Sequence, residues 1–304
     1  MAIEWKELEL EDMKLLKPYY DEIDYRFNEA SFANNLLWTP YFHMRYAIVE
    51  RKLVFRSNEE ARHSVSYPFG KKPLKGTIDR LMEDFIERGK KFRMHLVTED
   101  EFEVLSTLYP GMFQIEYDRD SADYLYESQK LITLAGKKLH SKRNFINRFK
   151  TEHPDWQYEV ITEENKTECF EMAKNWGMQN IEEGTAIAEA KSAELLVTEN
   201  ALHLMEILSL KGGLIRMDGE VIAFAIGEAL TKDTFCVHIE KAYGNIVGAY
   251  QLINQQFVEH EASIYRYVNR EDDAGSEGLR KAKLSYYPEI LLKKGIVTKI
   301  KDIE

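Results

Sequence analysis

The 304-residue chain predicts an α+β fold of mostly antiparallel mixed sheets with flanking helices, arranged as two copies of one unit. Three observations predict it. β-rich runs come in pairs around short turns, at 41–57 and 212–230. Helix-period runs bounded by further strands follow those pairs. The segments KFRMHLVTEDEF (91–102) and SIYRYVNREDDA (263–274) also share a pattern, with weak identity. Fusion of the two copies around 130–155 predicts an N-terminal unit at 1–150 and a C-terminal unit at 151–304.

The first hairpin turns at Glu50-Arg51-Lys52. Before it, Trp38-Thr39-Pro40 is expected to stop any helix, because a proline biases the residue ahead of it away from the α region. Thr77 is placed to cap a helix that ends at Gly89, with Ile78, Leu81, Met82, Phe85 and Ile86 on one face. FRMHLVT (92–98) reads as a strand, followed by a short acidic helix and the strand FQIEYD (113–118). In the second half, Asp218-Gly219 marks a tight hairpin turn. TFCVHIEKA is the next strand, and a helix over 247–261 follows with Val247, Tyr250, Leu252, Ile253, Phe257 and Val258 as candidate buried positions. IYRYVNREDD (264–273) supplies a strand and polar loop, and GLRKAKLSYY a last helix.

The hydrophobic fraction of 44% and aromatic fraction of 12% can supply a core, so disorder is excluded as the default. With 52 acidic and 41 basic residues the net charge is −11, which argues against a diffuse basic surface for nucleic acid but leaves room for a local one. Such a patch is offered by 137–150, where Lys137, Lys138, Lys142, Arg143, Arg148 and Lys150 occur with no carboxylate among them. Phe145, Ile146 and Phe149 make that run an amphipathic helix with a basic outer face, either a solvated surface or a contact for phosphates. Cys169 and Cys236 lack the spacing of a zinc site or disulfide framework and read as small buried hydrophobes, and no metal is expected. No apolar run reaches the ~20 residues of a membrane span, and no signal-peptide pattern opens the chain, so a cytoplasmic protein is expected.

Candidate functional residues concentrate in the last quarter. Gly244, Gly248 and Ala249 lie between a strand and a helix that Tyr250 continues, where small residues let free backbone N–H groups meet a phosphate; an ordinary tight turn reads the same way. His238 and Glu240 alternate along one strand face and could take a proton from an amine or hydroxyl acceptor, or be partnered as a plain polar face. Arg270 either contacts the donor or pairs with a carboxylate to pin its loop. Arg280 and Lys283, three apart on a helix, could neutralise donor phosphates. Tyr286 could protonate a leaving group or simply pack. Asn34, Asn35 and Trp38 could hold an amino-acid or sugar moiety, or tie down a loop, while Lys142 and Arg143 are the candidate RNA contacts.

VHIEKA, GNIVGAY opening a helix, and GLRKAKLSYYPEILLKKGI resemble the core of the GCN5-related N-acetyltransferase fold. Taken with SFANNLLWTPYF and LAGKKLHSKRNFINRF, the whole chain resembles the uncharacterised family related to the C-terminal domain of phosphatidylglycerol lysyltransferase. That domain has two tandem acetyltransferase-like units and moves an aminoacyl group from aminoacyl-tRNA to a lipid. The resemblance therefore implies an acyl or aminoacyl transferase with acyl-CoA or aminoacyl-tRNA as donor substrate and no tightly bound cofactor. It implies tRNA as a partner and a small-molecule, peptide or lipid acceptor. The alternative is a non-catalytic ligand-binding or regulatory protein on the same fold.

Overall fold

The computed structural model describes residues 3–56, 63–71, 73–178 and 186–300. In chain order the elements are β1 (Lys6–Glu7), α1 (Met13–Asp21), α2 (Phe32–Phe42), β2 (Arg45–Val49), β3 (Lys52–Arg56), β4 (Val65–Ser66), α3 (Leu74–Glu87), β5 (Arg93–Thr98), α4 (Glu99–Leu108) and β6 (Phe113–Glu127). There follow α5 (Ser128–Thr133), α6 (His140–Glu152), β7 (Gln157–Val160), α7 (Lys166–Met178), α8 (Ala186–Leu204), β8 (Lys211–Met217), β9 (Glu220–Ala229) and β10 (Thr234–Ala242). The last are α9 (Ala249–Glu261), β11 (Tyr267–Asn269), α10 (Glu277–Leu284) and β12 (Ile290–Lys299).

The chain divides into two compact units. One comprises Met1–Asp123, Asp272–Lys281 and Leu291–Glu304; the other comprises Tyr124–Glu271 and Ala282–Ile290. The division differs from a single cut at 150, and strand pairing explains why. In the first unit β1, β2, β3, β4 and β5 are neighbours in that order, antiparallel except for the parallel β4–β5 pair. In the second, β7, β8, β9, β10 and β11 repeat the same order and senses, with β10–β11 as the parallel pair. The repeated sequence pattern thus falls on β5 and β11, each reached through a crossover helix (α3 or α9) as a parallel pair requires. The next strands are exchanged. β5 takes β12 from the end of the chain, with Lys294 opposite Thr98. β11 takes the end of β6, with Val268 opposite Tyr126.

Local chemistry explains the boundaries. Glu50, Arg51, Asp218 and Gly219 all have positive φ, the conformation of two-residue turns matched to strand twist. Proline does not end α2, which runs through Pro40 to Phe42. A missing N–H so near the C-terminus costs only one helical bond; the His43 N–H donates to Thr39 O at 2.7 Å, and Ser31 caps the other end. Thr77 caps nothing: α3 begins at Leu74, and the buried Thr77 hydroxyl donates to Val49 O. On that helix Ile78, Leu81 and Phe85 are buried while Ile86 is exposed. Leu252, Ile253, Phe257 and Val258 are buried on α9, whereas Val247 precedes the helix and is exposed.

In the first unit the core gathers Val54, Ile78, Leu81, Met94, Val97, Leu105 and Val297. Beneath β12 lies a buried ionic group. Lys294 Nζ reaches Asp123 Oδ1 at 2.9 Å and both Glu29 oxygens at 2.8 Å, with Lys294 and Asp123 fully buried. Burial pushes the Glu29 carboxyl up to about 7 against the lowering field of Lys294, whose own pKa is raised because Asp123 and Glu29 outweigh its desolvation.

Candidate functional site

In the second unit, β10, β11 and α9 bring Glu240, Arg270 and Asn254 together. Arg270 Nη2 donates to Glu240 Oε1 at 2.7 Å, and Asn254 Nδ2 donates to Glu240 Oε2 at 2.9 Å. The pair is mostly buried, with side-chain exposures of 12% for Arg270 and 13% for Glu240. Burial works against the Arg270 charge, yet Glu240 and the two tyrosines beside it raise its pKa above the ordinary value. Two polar atoms here are buried without a partner among the described residues: Arg270 Nη1 and Asn254 Oδ1. A donor and an acceptor left open on either side of one carboxylate are unusual, because buried polar groups are normally satisfied.

Tyrosines wall this group. The Arg270 guanidinium carbon lies 4.9 Å from the Tyr286 ring centroid and 5.7 Å from that of Tyr126. Lys142 Nζ approaches the Tyr286 ring at 4.4 Å, so α6 turns this lysine inward. Half-burial and the repulsion of Arg270 hold the Lys142 ammonium below its ordinary pKa. Burial raises both tyrosines, which keeps their hydroxyls protonated at neutral pH. The Tyr126 hydroxyl donates to Lys283 O at 2.8 Å, and Lys283 Nζ donates to Arg270 O at 2.5 Å. Lys283 is thereby a brace behind Arg270.

His238 occupies a β-bulge. Val237 pairs with Gly227 and Ile239 with Ile226, leaving His238 as the extra residue. Opposite the bulge only glycine fits, since a Cβ on Gly227 would run into the Cys236 carbonyl. His238 Nδ1 lies 2.8 Å from Glu271 Oε1, and Nε2 lies 3.0 Å from Glu228 Oε1. Burial opposes the imidazolium, but the Cys236 sulfur and both carboxylates hold the ring well above its ordinary pKa. With both nitrogens engaged, His238 is ill-suited to the base role its strand position suggests.

The remaining sequence candidates fall elsewhere. Gly248 sits at φ +92° as the N-cap of α9, and a Cβ there would come 2.5 Å from Phe145 O and 3.0 Å from Phe149 Cβ. Close packing on α6 therefore accounts for that glycine without a ligand. Gly244 is exposed with open space around it, and Ala249 is buried. Tyr250 accepts a hydrogen bond from Trp176 Nε1 at 3.0 Å. Arg143 donates to the Leu134 and Gly136 carbonyls, so it satisfies the C-terminal end of α5. Arg280, in the first unit, is held by Asp273 (2.7 Å) and Asp120 (2.6 Å). Also in that unit, Asn35 Nδ2 donates to the Tyr20 hydroxyl and Glu29 O, both at 2.9 Å, while the Asn34 N–H donates to Ser31 Oγ. Trp38 meets Tyr41 edge-to-face and Phe42 at a tilt, all three on α2. Sequence reasoning missed Tyr126, Asn254 and Glu228, and set Glu271 aside because consecutive carboxylates on an extended chain do not converge. Of the missed residues only Asn254 gave a local signal, as a polar position between Ile253 and Phe257 on the buried side of α9.

The fold is the one seen in solved lysylphosphatidylglycerol synthetase structures. L-PGS of Bacillus licheniformis superposes with a TM-score of 0.68 at 14% identity, covering 97% of this chain and 93% of that one. A conserved protein of unknown function from Bacteroides thetaiotaomicron is nearer, at 34% identity and a TM-score of 0.90 over 98% of this chain and 100% of that one. A curated relative, an uncharacterized protein of Mycoplasmoides gallisepticum, is 28% identical over 180 residues, which is 58% of this chain and 56% of the relative. The match thus spans little more than half of that relative's length. Residues 22–297 match the family model described as phosphatidylglycerol lysyltransferase, C-terminal, and the chain belongs to that family. No helix among the described residues is long and apolar enough to cross a membrane.

Proposed function

We propose that the protein transfers an aminoacyl group from aminoacyl-tRNA to a hydroxyl or amine acceptor, with the Glu240–Arg270–Asn254 group holding the aminoacyl moiety. The observation that carries this reading is the pair of open atoms, Arg270 Nη1 and Asn254 Oδ1, flanking Glu240. An α-aminoacyl ester has the complementary pattern: an ammonium that donates toward Asn254 and Glu240, and a carbonyl that accepts from Arg270. A simple acetyl group has no donor for Asn254.

In the reaction the acceptor heteroatom attacks the ester carbonyl and the ribose oxygen leaves. Arg270 opposes the negative charge that develops on the carbonyl oxygen. Glu240 takes the acceptor's proton, and Tyr286, kept protonated by burial, supplies one to the leaving oxygen. The exposed Lys137 and Lys138 ahead of α6 are the available contacts for a tRNA backbone.

Thermal shift with an amide-linked aminoacyl-adenosine, CoA and acetyl-CoA tests the reading. At ~100 times its dissociation constant the correct donor analogue stabilises the fold by about 2.7 kcal/mol. The aminoacyl-adenosine should do so and should lose its effect in Arg270→Met. Stabilisation by acetyl-CoA alone would refute the donor assignment. A second reading, binding without turnover, is favoured by one observation: both Glu240 oxygens and both His238 nitrogens are already engaged. Analogue binding with no transfer from aminoacyl-tRNA to water or added acceptors would select it.

A further inference from the structure

Cys236 Sγ, His238 Nδ1 and a Glu271 carboxylate oxygen all lie within 4.8 Å of one another. We propose that these three residues bind a divalent cation of the zinc class, with Glu228 supporting His238 from behind.

The chemistry of the set points to this cation. A thiolate, an imidazole and a carboxylate are the donors that zinc and cobalt(II) accept together, whereas magnesium and calcium take oxygens. The spacing agrees as well. Zinc–nitrogen and zinc–sulfur bonds of ~2.05 Å and ~2.3 Å at a tetrahedral angle put nitrogen and sulfur about 3.6 Å apart. His238 Nδ1 and Cys236 Sγ are 3.6 Å apart. Glu271 Oε1, at 2.8 Å from Nδ1, must withdraw by about half an ångström to admit the ion. Its side chain is 20% exposed and free to do so, which also gives the ion a way in. Binding of the cation displaces one proton from the thiol and one from Nδ1.

Three further features hold the site in place. Glu228 Oε1 lies 3.0 Å from Nε2, the carboxylate–histidine arrangement that aims the other ring nitrogen at a metal. The bulge at His238 and the glycine opposite it set the ring relative to Cys236 on the same strand. Glu271 adopts φ +57°, a backbone state uncommon for glutamate, and its N–H is held by Asn269 Oδ1 at 2.6 Å. An imidazolium clamped between two carboxylates would account for both ring nitrogens but not for a thiol against Nδ1. Three protein ligands leave a fourth position for water. His238 is two residues before Glu240, and Glu271 directly follows Arg270, so the ion would fix the backbone that presents the ion pair.

The test uses the full chain without an affinity tag, dialysed against chelator and titrated with Co²⁺ and then Zn²⁺. One ion per chain is expected, with a thiolate-to-cobalt charge-transfer band in the near ultraviolet. Cys236→Ser should abolish the band and Cys169→Ser should leave it intact. Glu228→Gln should keep the band and weaken Zn²⁺ by 10–100-fold. Because Cys236 is buried, Glu271→Gln provides the parallel test at a partly exposed position and should also weaken the ion at unchanged circular dichroism. Absence of saturable binding, a band that survives Cys236→Ser, or an affinity untouched by both Glu228→Gln and Glu271→Gln would each overturn the proposal.

Discussion

Arg270 and Glu240 should stand or fall as a pair. Their side chains are 12% and 13% exposed, so the charges are largely out of water and each is the other's chief compensation. Removing one partner of such a pair costs about 3–5 kcal/mol, because the survivor stays buried and unpaired. For a cooperative unit of 150–250 residues, each kcal/mol is worth about 2–4 °C of Tm, so Glu240→Gln or Arg270→Met alone should lower Tm by ~6–20 °C. The double variant removes both charges and keeps comparable volume. It should be less destabilised than the sum of the singles by about 2 kcal/mol or more. Urea unfolding of the four proteins closes the cycle. Single effects that add to within about 0.5 kcal/mol would refute the argument, since independent sites behave that way. Asn254 adds a control: it bonds to Glu240 but carries no charge, so Asn254→Leu should cost nearer the ~1–3 kcal/mol of a broken buried hydrogen bond.

Other perturbations have definite signs. Gly248→Ala combines a left-handed backbone cost of about 1–2 kcal/mol with overpacking of about 1–3 kcal/mol against Phe145 and Phe149; a variant as stable as the parent in urea would contradict the packing described. Glu101 has its carboxyl pushed up to about 7, chiefly by burial. A raised carboxyl binds its proton more tightly in the folded state. Its contribution, on the order of 3 kcal/mol, is therefore complete below the ordinary carboxylate range and lost as pH rises through about 7. Glu101→Gln keeps the cap on α4 and should flatten stability between pH 5 and 7 relative to the parent; an unchanged slope would place the titration elsewhere. Finally, Lys137→Ala with Lys138→Ala should lower the salt slope of tRNA binding by about 0.7–0.9 for each phosphate no longer neutralised, at unchanged Tm. Arg143→Ala should lower Tm instead, because it removes the donor to the Leu134 carbonyl at the end of α5.

Local features were legible in the chain where a local cause governs them. The turns at Glu50-Arg51 and Asp218-Gly219, the strand of His238 and Glu240, and the buried face of α9 follow from side-chain type and period alone. Helix edges were less so: Thr77 resembles a cap but is held by Val49, a residue of another element. The site was half visible. Glu240, Arg270 and Tyr286 stood out as chemistry-bearing residues. Whether Arg280 would meet a phosphate or Asp273 depended on folding partners that no spacing reveals. Lys142 and Arg143 are adjacent and both cationic, yet one turns onto Tyr286 and the other onto backbone carbonyls. The bulge was invisible because it depends on Gly227, on a neighbouring strand. The exchanged strands were invisible because no local signal pairs Lys294 with Thr98.

That exchange has a consequence for how the molecule is made. While the ribosome extends the chain, β5 waits beside a gap that only β12 can fill, and Asp123 and Glu29 wait for the ammonium of Lys294. The first unit therefore stays incomplete until residue 294 has emerged, although most of its residues were synthesised first. A truncation anywhere in the middle leaves an open strand edge and takes from the buried Asp123 its cationic partner, rather than giving a free-standing half. A single late strand thus closes the sheet of the first unit and brings the cation to its buried carboxylate.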